Sequence, residues 1–71
     1  MDKEFSLDGH EFIELNKLLK LLRLVSSGGE ANSRIENGEI KVNGTVETRK
    51  RNKLRPGDVV SFLENTVSIT E

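Results

Sequence analysis

The basic residues of this chain are concentrated in E-T-R-K-R-N-K-L-R at residues 47–55, where five of the last seven residues are Lys or Arg. We call this segment the basic run. The formal net charge of the whole chain is only −1. Clustered cations repel one another unless an anion offsets them. The basic run therefore predicts a polyanion contact, in which Lys and Arg neutralise and hydrogen-bond phosphate groups.

Two interpretations of the basic run are open at this point. Charged residues on an exposed strand or loop can simply keep a small protein soluble and protect a sheet edge. Alternatively, a strand that rises ~3.3 Å per residue would place four cations in one row about 20 Å long. For this second interpretation we predict that Leu54 points inward and that the row consists of Arg49, Arg51, Lys53 and Arg55.

The charge outside the basic run limits the kind of contact. Residues 34–55 contain seven basic and three acidic residues, whereas residues 1–33 contain four and six, and residues 56–71 contain none and three. Acidic flanks oppose indiscriminate binding of polyanions. The distribution therefore favours one limited contact in the middle of the chain.

Residues with catalytic chemistry are scarce. The chain has no Cys, Tyr or Trp, its single His10 falls in a predicted loop, and Gly28-Gly29 lacks the G-x-G-x-x-G spacing of a nucleotide fingerprint. We expect a non-catalytic protein without cofactor, metal or small-molecule substrate. An enzyme would require His10 to act together with nearby carboxylates.

Length and hydropathy predict one domain, residues 1–71, because so short a chain cannot support two cores. No apolar stretch approaches the ~20 residues of a membrane span, and the N-terminus lacks a secretory h-region. We therefore expect a soluble, cytoplasmic monomer without membrane contact.

Two helices are predicted in the first half of the chain. Asp8 and Glu11 have the spacing of a capping box, and apolar residues then recur every three or four positions from Phe12 to Val25. Ser27 and Glu30 form a second such box, and the helix that they begin is predicted to end at Gly38.

The second half of the chain predicts strands. Asn43-Gly44 is typical of a type I′ turn between residues 40–42 and 45–48, and residues 55–58 favour another turn. Residues 59–63 and 66–70 follow as strands, and residues 4–7 form a possible first strand. The fold class is α+β, with two N-terminal helices packed on a small, mainly antiparallel sheet of four to five strands.

Three features near the basic run each have two interpretations. Gly28 and Gly29 follow an ordinary N-cap, or they let a phosphate approach the free N–H groups of the second helix. Arg34 pairs with Glu30 four residues earlier, or it contacts the polyanion. Asn43 is a turn residue that could also donate a hydrogen bond to a phosphate.

Aromatic content predicts the mode of recognition. Phe5, Phe12 and Phe62 all lie in apolar patterns and are expected inside the protein. No aromatic platform would then remain for stacking of bases. We therefore expect contacts to phosphate and sugar, which favours structured RNA recognised by shape and charge.

Five motifs together resemble a known family. They are L-x-x-L-L-K at 15–20, S-G-G-E-A at 27–31, I-x-x-G-E-I-K-V-N-G at 35–44, E-T-R-K-R-N-K-L at 47–54 and G-D-V-V at 57–60. In this order they resemble the small bacterial proteins of the YbcJ type. These belong to the superfamily of RNA-binding domains named after ribosomal small-subunit protein four, also called the alpha-L motif.

The resemblance implies an alpha-L fold and an RNA surface where the second helix meets the hairpin and the basic run. It also implies ribosomal or transfer RNA as partner and a link to the ribosome. Relatives commonly have Lys where this chain has Asn32, and a larger apolar residue where it has Ser33, so the helical part of the surface should be weaker here. The implied RNA-binding residues are Gly28, Gly29, Arg34, Lys41, Asn43, Arg49, Lys50, Arg51 and Lys53.

A protein-interaction adaptor remains the alternative to an RNA-binding module. In that case the same basic patch would meet an acidic protein surface. Both contacts would be sensitive to salt, so the residues alone separate the two poorly.

Overall fold

A computed structural model describes residues 2–71, so Met1, the first residue of the predicted domain, lies outside the described residues. The described chain forms seven strands and two helices. In chain order they are β1 Asp2–Ser6, β2 Ile13–Glu14, α1 Leu15–Leu21, α2 Gly28–Glu36, β3 Ile40–Val42, β4 Thr45–Val46, β5 Lys53–Leu54, β6 Val59–Phe62 and β7 Asn65–Thr70.

The strands form two sheets. The larger has five strands in the order β1-β7-β6-β3-β4, and the smaller pairs β2 with β5. All pairs are antiparallel except β1 and β7, which run parallel. The α+β class, the two helices and the mainly antiparallel sheet are confirmed, whereas the seven strands exceed the four to five that we predicted.

The core lies between the helices and one face of the five-stranded sheet. The helices contribute fully buried leucines from α1, together with Ala31 and Ile35 from α2. The sheet contributes alternate residues such as Val60 and Val67, as expected for strands with one buried face. Full burial of each such side chain contributes roughly 1.5–3 kcal/mol to folding.

The predicted start of the first helix is wrong. The helix begins at Leu15 with Glu14 as N-cap and no side-chain cap. Asp8, the predicted cap, has φ 50° and lies in a turn. The reason is tertiary: Ile13 and Glu14 are extended because they pair with residues 53–54.

The end of this helix also differs from the prediction. Arg23 has φ 58°, a left-handed conformation that interrupts the helix before the predicted end at Val25. Val25 nevertheless contributes to the buried core. Apolar spacing thus identified buried residues correctly beyond the helix itself.

The second helix forms as predicted. Ser27 Oγ accepts a hydrogen bond from Glu30 N at 3.1 Å, which satisfies a free donor at the helix start. Glu30 Oε1 accepts a hydrogen bond from Ser26 N at 2.8 Å. In an ordinary capping box the donor would be the backbone N–H of the N-cap residue, Ser27. Gly38, with φ 79°, follows the C-cap Asn37 and confirms the predicted end.

Both predicted turns are present. Asn43 and Gly44 have φ 53° and 83°, as a type I′ hairpin turn requires. In the second turn Asp58 N donates to Arg55 O at 3.0 Å, with φ 97° at Gly57. The strand predicted at residues 45–48 is shorter, because β4 ends at Val46.

Candidate nucleic-acid interface

The basic run is attached to the start of α1 through its backbone. Leu15 N donates to Asn52 O at 2.9 Å, and Asn16 N donates to Lys50 O at 3.0 Å. The first N–H groups of a helix have no partner within the helix, and α1 has no side-chain cap. Carbonyl groups of the basic run therefore satisfy two donors of α1 and are held there.

The predicted row of cations along one strand is wrong. Residues 47–52 lie outside any strand, and only Lys53–Leu54 are extended and paired. Arg49 and Asn52 are linked by a turn, in which Asn52 N donates to Arg49 O at 3.1 Å. Leu54 is fully buried, as predicted. The charges of the run therefore lie around a loop rather than along a 20 Å line.

Arg49 is paired within the protein. Its Nε lies 2.9 Å from Oε2 of Glu47, and its Nη2 lies 3.1 Å from Oε1 of the same carboxylate. Arg49 also donates to Asn52 Oδ1 at 3.1 Å. Hydrogen bonds from the Arg49 side chain and backbone lower the pKa of Glu47, and the same carboxylate raises the pKa of Arg49.

Arg34 and Lys50 also lie against carboxylates. Arg34 Nη1 is 2.9 Å from Glu39 Oε1, and its Nη2 is 3.4 Å from Glu30 Oε2, which confirms the predicted pairing along the helix. The hydrogen bond to Glu39 is the main cause of the raised pKa of Arg34. Lys50 Nζ lies 3.6 Å from Glu36 Oε2, so this contact joins the basic run to the last residue of α2.

Four of the cations in residues 34–55 have no carboxylate within 4.0 Å among residues 2–71. They are Lys41, Arg51, Lys53 and Arg55, and all four are exposed. Arg51 and Lys53 line a shallow cavity of about 440 Å³ together with Arg49 and Asn52. The unpaired charge is therefore concentrated in the second half of the basic run.

Lys41 lies apart from the other three. On β3 it alternates with Ile40 and Val42, which face the core, so it projects from the outer face of the five-stranded sheet. Its cross-strand neighbours are Val46 and Ser61. Of the RNA-binding residues that the family resemblance implies, Lys41 therefore lies on the sheet face opposite the helices, whereas Gly28, Gly29 and Arg34 lie on α2.

Gly28 and Gly29 occupy the first two positions of α2. A Cβ atom at Gly28 would meet no heavy atom within 4 Å, and one at Gly29 would meet only Ser27 Oγ, at 3.9 Å. Neither residue has a positive φ. Neither backbone geometry nor packing within residues 2–71 requires glycine at these two positions.

The Asn43 side chain is already used inside the protein. Its Nδ2 donates to Asp58 Oδ1 at 3.0 Å, and its Oδ1 accepts from Val59 N at 2.9 Å. These bonds fasten the hairpin turn to the start of β6. The position of Asn43 in the turn is confirmed. Its hydrogen bonds to Asp58 and Val59 could not be predicted from neighbouring residues, because these partners are 15 and 16 positions away in the chain.

Asn32 joins the two helices. Its Oδ1 accepts a hydrogen bond from Asn16 Nδ2 at 3.1 Å. Asn16 Oδ1 is buried without a hydrogen-bond partner among the described residues. Asn32 is half-buried and adds no charge to the surface, while Ser33 beside it is exposed.

Phe12 is the residue near the basic run that sequence reasoning misplaced. We predicted that all three phenylalanines are internal, and Phe62 is indeed in the core with Phe5 packed against it. Phe12 is half-buried and belongs to neither group. Lys53 Nζ lies 5.0 Å and Arg55 Cζ 5.7 Å from its ring centroid, within cation–π range.

Two other kinds of site were searched in the described part of the chain. Residues 2–71 contain no helix that is long and apolar enough to cross a membrane. They also contain no group of three or more His, Asp or Glu residues that could hold a metal ion.

Three comparisons with known proteins agree with one another. A family model described as "S4 domain" matches residues 5–70. YbcJ of Escherichia coli (strain K12) is 46% identical over 65 residues, covering 92% of this chain and 93% of YbcJ, and YbcJ of Shigella flexneri matches equally well. The solution structure of E. coli YbcJ, described as revealing an alpha-L motif involved in RNA binding, has a TM-score of 0.73 and 44% identity. That match covers 96% of this chain and 86% of the other.

Proposed function

This chain belongs to the S4 domain family, and from that premise we propose that it is a non-catalytic RNA-binding module that contacts the phosphate backbone of structured RNA. The YbcJ-type resemblance is confirmed over nearly the whole chain. The alpha-L motif of YbcJ is involved in RNA binding, and the similarity between the two chains supports the same activity here.

The observation that carries the proposal is the set of unpaired cations in the basic run. Arg51, Lys53 and Arg55 are exposed and have no carboxylate within 4.0 Å among residues 2–71. The backbone beside them is held by hydrogen bonds from Leu15 and Asn16. Because the backbone is already ordered, phosphate binding would restrict little more than the side chains.

The remaining predicted contacts contribute in different degrees. Arg34, Arg49 and Lys50 would have to exchange a carboxylate for a phosphate, so we expect a smaller gain from each. One of the two N–H donors of the Asn43 side chain already bonds to Asp58, so only the other remains for a phosphate. Gly28 and Gly29 leave the start of α2 open to a phosphate. Lys41 would contact only an RNA that extends around the sheet.

The class of RNA is proposed from the family and from the kind of contact that the site can make. Ribosomal or transfer RNA is proposed by analogy with the family, which is a weaker argument than the site itself. Most of the binding energy should come from phosphate and sugar contacts, which recognise a folded RNA by shape and charge. We further propose that the protein acts as a monomer in the cytoplasm.

Replacement of Arg51 and Lys53 by Ala should weaken RNA binding and reduce its salt dependence. Each phosphate contact that is lost lowers the slope of log Kd against log salt concentration by about one, so the double variant should lose about two. Fluorescence anisotropy with labelled transfer RNA at several salt concentrations measures both effects. The matched control is Arg51→Lys with Lys53→Arg, which keeps both charges and should keep most of the slope.

Two results would contradict the proposal. Unchanged affinity and slope in the Ala double variant, with an unchanged melting temperature, would exclude the basic run as the RNA surface. Protein partners that survive ribonuclease treatment of a pull-down, with no affinity for RNA, would favour the protein-interaction adaptor.

A further inference from the structure

Phe12 has a position that the folded core does not explain. It lies between the turn that contains Asp8 and the short strand β2, outside the buried cluster and outside the side chains packed against that cluster. An aromatic ring gains most from full burial, so a ring that is only half-buried forfeits part of that stabilisation. The part of the Phe12 ring that stays exposed can therefore contact a partner.

The side chains nearest to this ring are two cations. Lys53 Nζ is 5.0 Å and Arg55 Cζ 5.7 Å from the centroid. Neither has a carboxylate within 4.0 Å among residues 2–71. Both belong to the basic run, so the ring lies at the edge of the surface that we propose for phosphate binding.

The ring also lines a cavity of different character. The cavity has a volume of about 450 Å³, within the range of small-ligand sites. Its other lining residues are His10, Glu11, Ile13, Glu14 and Lys17. Glu14 is paired with Lys17 at 3.6 Å, whereas Glu11 has no cation within 4.0 Å among residues 2–71.

The Phe12 ring thus lies between two cations, Lys53 and Arg55, and a cavity that contains carboxylates. The cations suit the phosphate of a nucleotide, and the cavity suits its base. A phosphate suits the cations on the ring and is repelled by the carboxylates of the cavity. A nucleobase is planar and uncharged and stacks on aromatic rings. Its N–H groups can donate hydrogen bonds to the Glu11 carboxylate. A lipid phosphate offers no comparable planar group, and the aromatic side chains of an unmodified polypeptide have no phosphate beside them.

We propose that Phe12 stacks against one unpaired nucleobase of the bound RNA, while the phosphates beside that nucleotide contact Lys53 and Arg55. This inference rests on the proposed RNA-binding function and adds an unpaired nucleotide to what the surface recognises. Glu11 and His10 line the space that the base edge would occupy and are the candidate hydrogen-bonding groups.

The test uses three hairpin RNAs with the same stem. One has a single bulged 2-aminopurine, the second has an abasic site at the bulge, and the third is fully paired. Wild-type protein should bind the 2-aminopurine hairpin about 5- to 140-fold more tightly than the abasic hairpin, the range expected for one stacked base. Stacking on Phe12 should also change the 2-aminopurine fluorescence.

Two variants distinguish the effect of the Phe12 ring on RNA binding from any effect on folding. Phe12→Leu keeps an apolar side chain and should lose both the preference and the fluorescence change, with little effect on the fully paired hairpin. Phe12→Tyr keeps the ring and should retain both. Melting curves for each variant verify that the protein is folded.

The possible failures can be told apart. Equal affinity of wild type for the bulged and abasic hairpins, with binding still lost in the Arg51→Ala, Lys53→Ala variant, overturns the stacking proposal alone. Preference that persists in Phe12→Leu overturns it as well. Absence of binding to all three hairpins at low salt overturns both this inference and the proposed function.

Discussion

Arg34 and Arg49 show that a cation in the sequence is not the same as a cation available to a ligand. Each guanidinium is within 2.9 Å of a carboxylate oxygen of its own chain. A phosphate that approaches Arg49 competes with Glu47, which is only two residues away and is held by three hydrogen bonds. At this scale, unpaired Arg51 and Lys53 are the strongest candidates for contact.

Asn32 is a polar residue of α2 that serves the contact between the helices rather than the charge of the surface. A Lys at this position would add charge to the face of α2, whereas Asn32 forms a hydrogen bond with Asn16 on α1. A hydrogen bond of this kind is worth about 0.5–1.5 kcal/mol net. The position here supports the contact between the helices and leaves the positive charge to the basic run.

Variants of Gly28 and Gly29 can show whether the start of α2 is only a helix cap or also a site that a phosphate approaches. Replacement of both by Ala should stabilise the protein by about 0.4–1 kcal/mol each, because Ala restricts the unfolded chain and meets no clash here. If a phosphate approaches these residues, the same change should weaken RNA binding. Thermal melting and a binding titration measure the two effects.

The control for this pair lies on the same helix. Ser33→Ala changes an exposed residue farther from the helix start and should leave RNA affinity unchanged. A more stable glycine variant with wild-type affinity would mean that Ser27-Gly28-Gly29 serves only as a helix start.

Among the elements, the contact between β2 and β5 decides the shape of the candidate site. Its two residue pairs hold the end of the basic run beside the start of α1. The same pairing makes residues 13–14 extended, so α1 starts late and Phe12 is left outside the core. One small sheet thus positions both the cations and the aromatic ring.

Leu54 is the side chain that anchors this sheet, and it is fully buried. Leu54→Ala should reduce the free energy of unfolding by about 2–5 kcal/mol, because it leaves a cavity in the core. Urea denaturation followed by circular dichroism measures the change. Leu63→Ala is the matched control, since Leu63 is 74% exposed and its loss should cost under about 0.5 kcal/mol. Similar effects of the two substitutions would contradict the anchoring role.

For the whole molecule, the distribution of charge over the surface matters more than the net charge of −1. The outer face of the five-stranded sheet carries Lys41, but Asp2 and Glu4 lie on the same face at the β1 edge. That face has mixed charge. The unpaired cations of the basic run, Arg51, Lys53 and Arg55, are therefore a better candidate than this sheet face for contact with a polyanion.

The ion pairs around the basic run also make stability depend on pH. The Arg49 side chain lowers the pKa of Glu47 in the folded protein, below the value of about 4.3 expected in the unfolded chain. Between these two values the unfolded state binds more protons, so the stabilisation is complete above about pH 4.3 and is lost as pH falls through the folded pKa. Glu47→Gln should therefore flatten the decline in melting temperature as pH falls below about 4.3, the unfolded-state pKa of a glutamate.

Arg49→Gln provides the control, because it removes the guanidinium, whose hydrogen bond is the largest cause of the lowered Glu47 pKa, and keeps the carboxylate. It should flatten the same part of the pH profile. Unchanged acid sensitivity in both variants would show that this pair does not contribute to stability at low pH.

Short-range signals determined much of this protein from sequence alone. The caps of α2, the Asn43-Gly44 turn and the turn at residues 55–58 each depend on residues within four positions of one another, so they could be identified directly. Leu54 and three leucines of α1, Leu15, Leu18 and Leu19, were likewise assigned to the core correctly. The location of the candidate site in the basic run also followed from composition.

Only the tertiary structure decided where α1 begins, how the basic run is shaped and which of its cations are free. These features depend on contacts between residues far apart in the chain, such as Ile13 with Leu54, Leu15 with Asn52, and Glu36 with Lys50. A local pattern carries no information about such partners. Phe12 therefore fitted the periodicity of a buried helix in the sequence, while in the folded protein it lies beside Lys53 and Arg55.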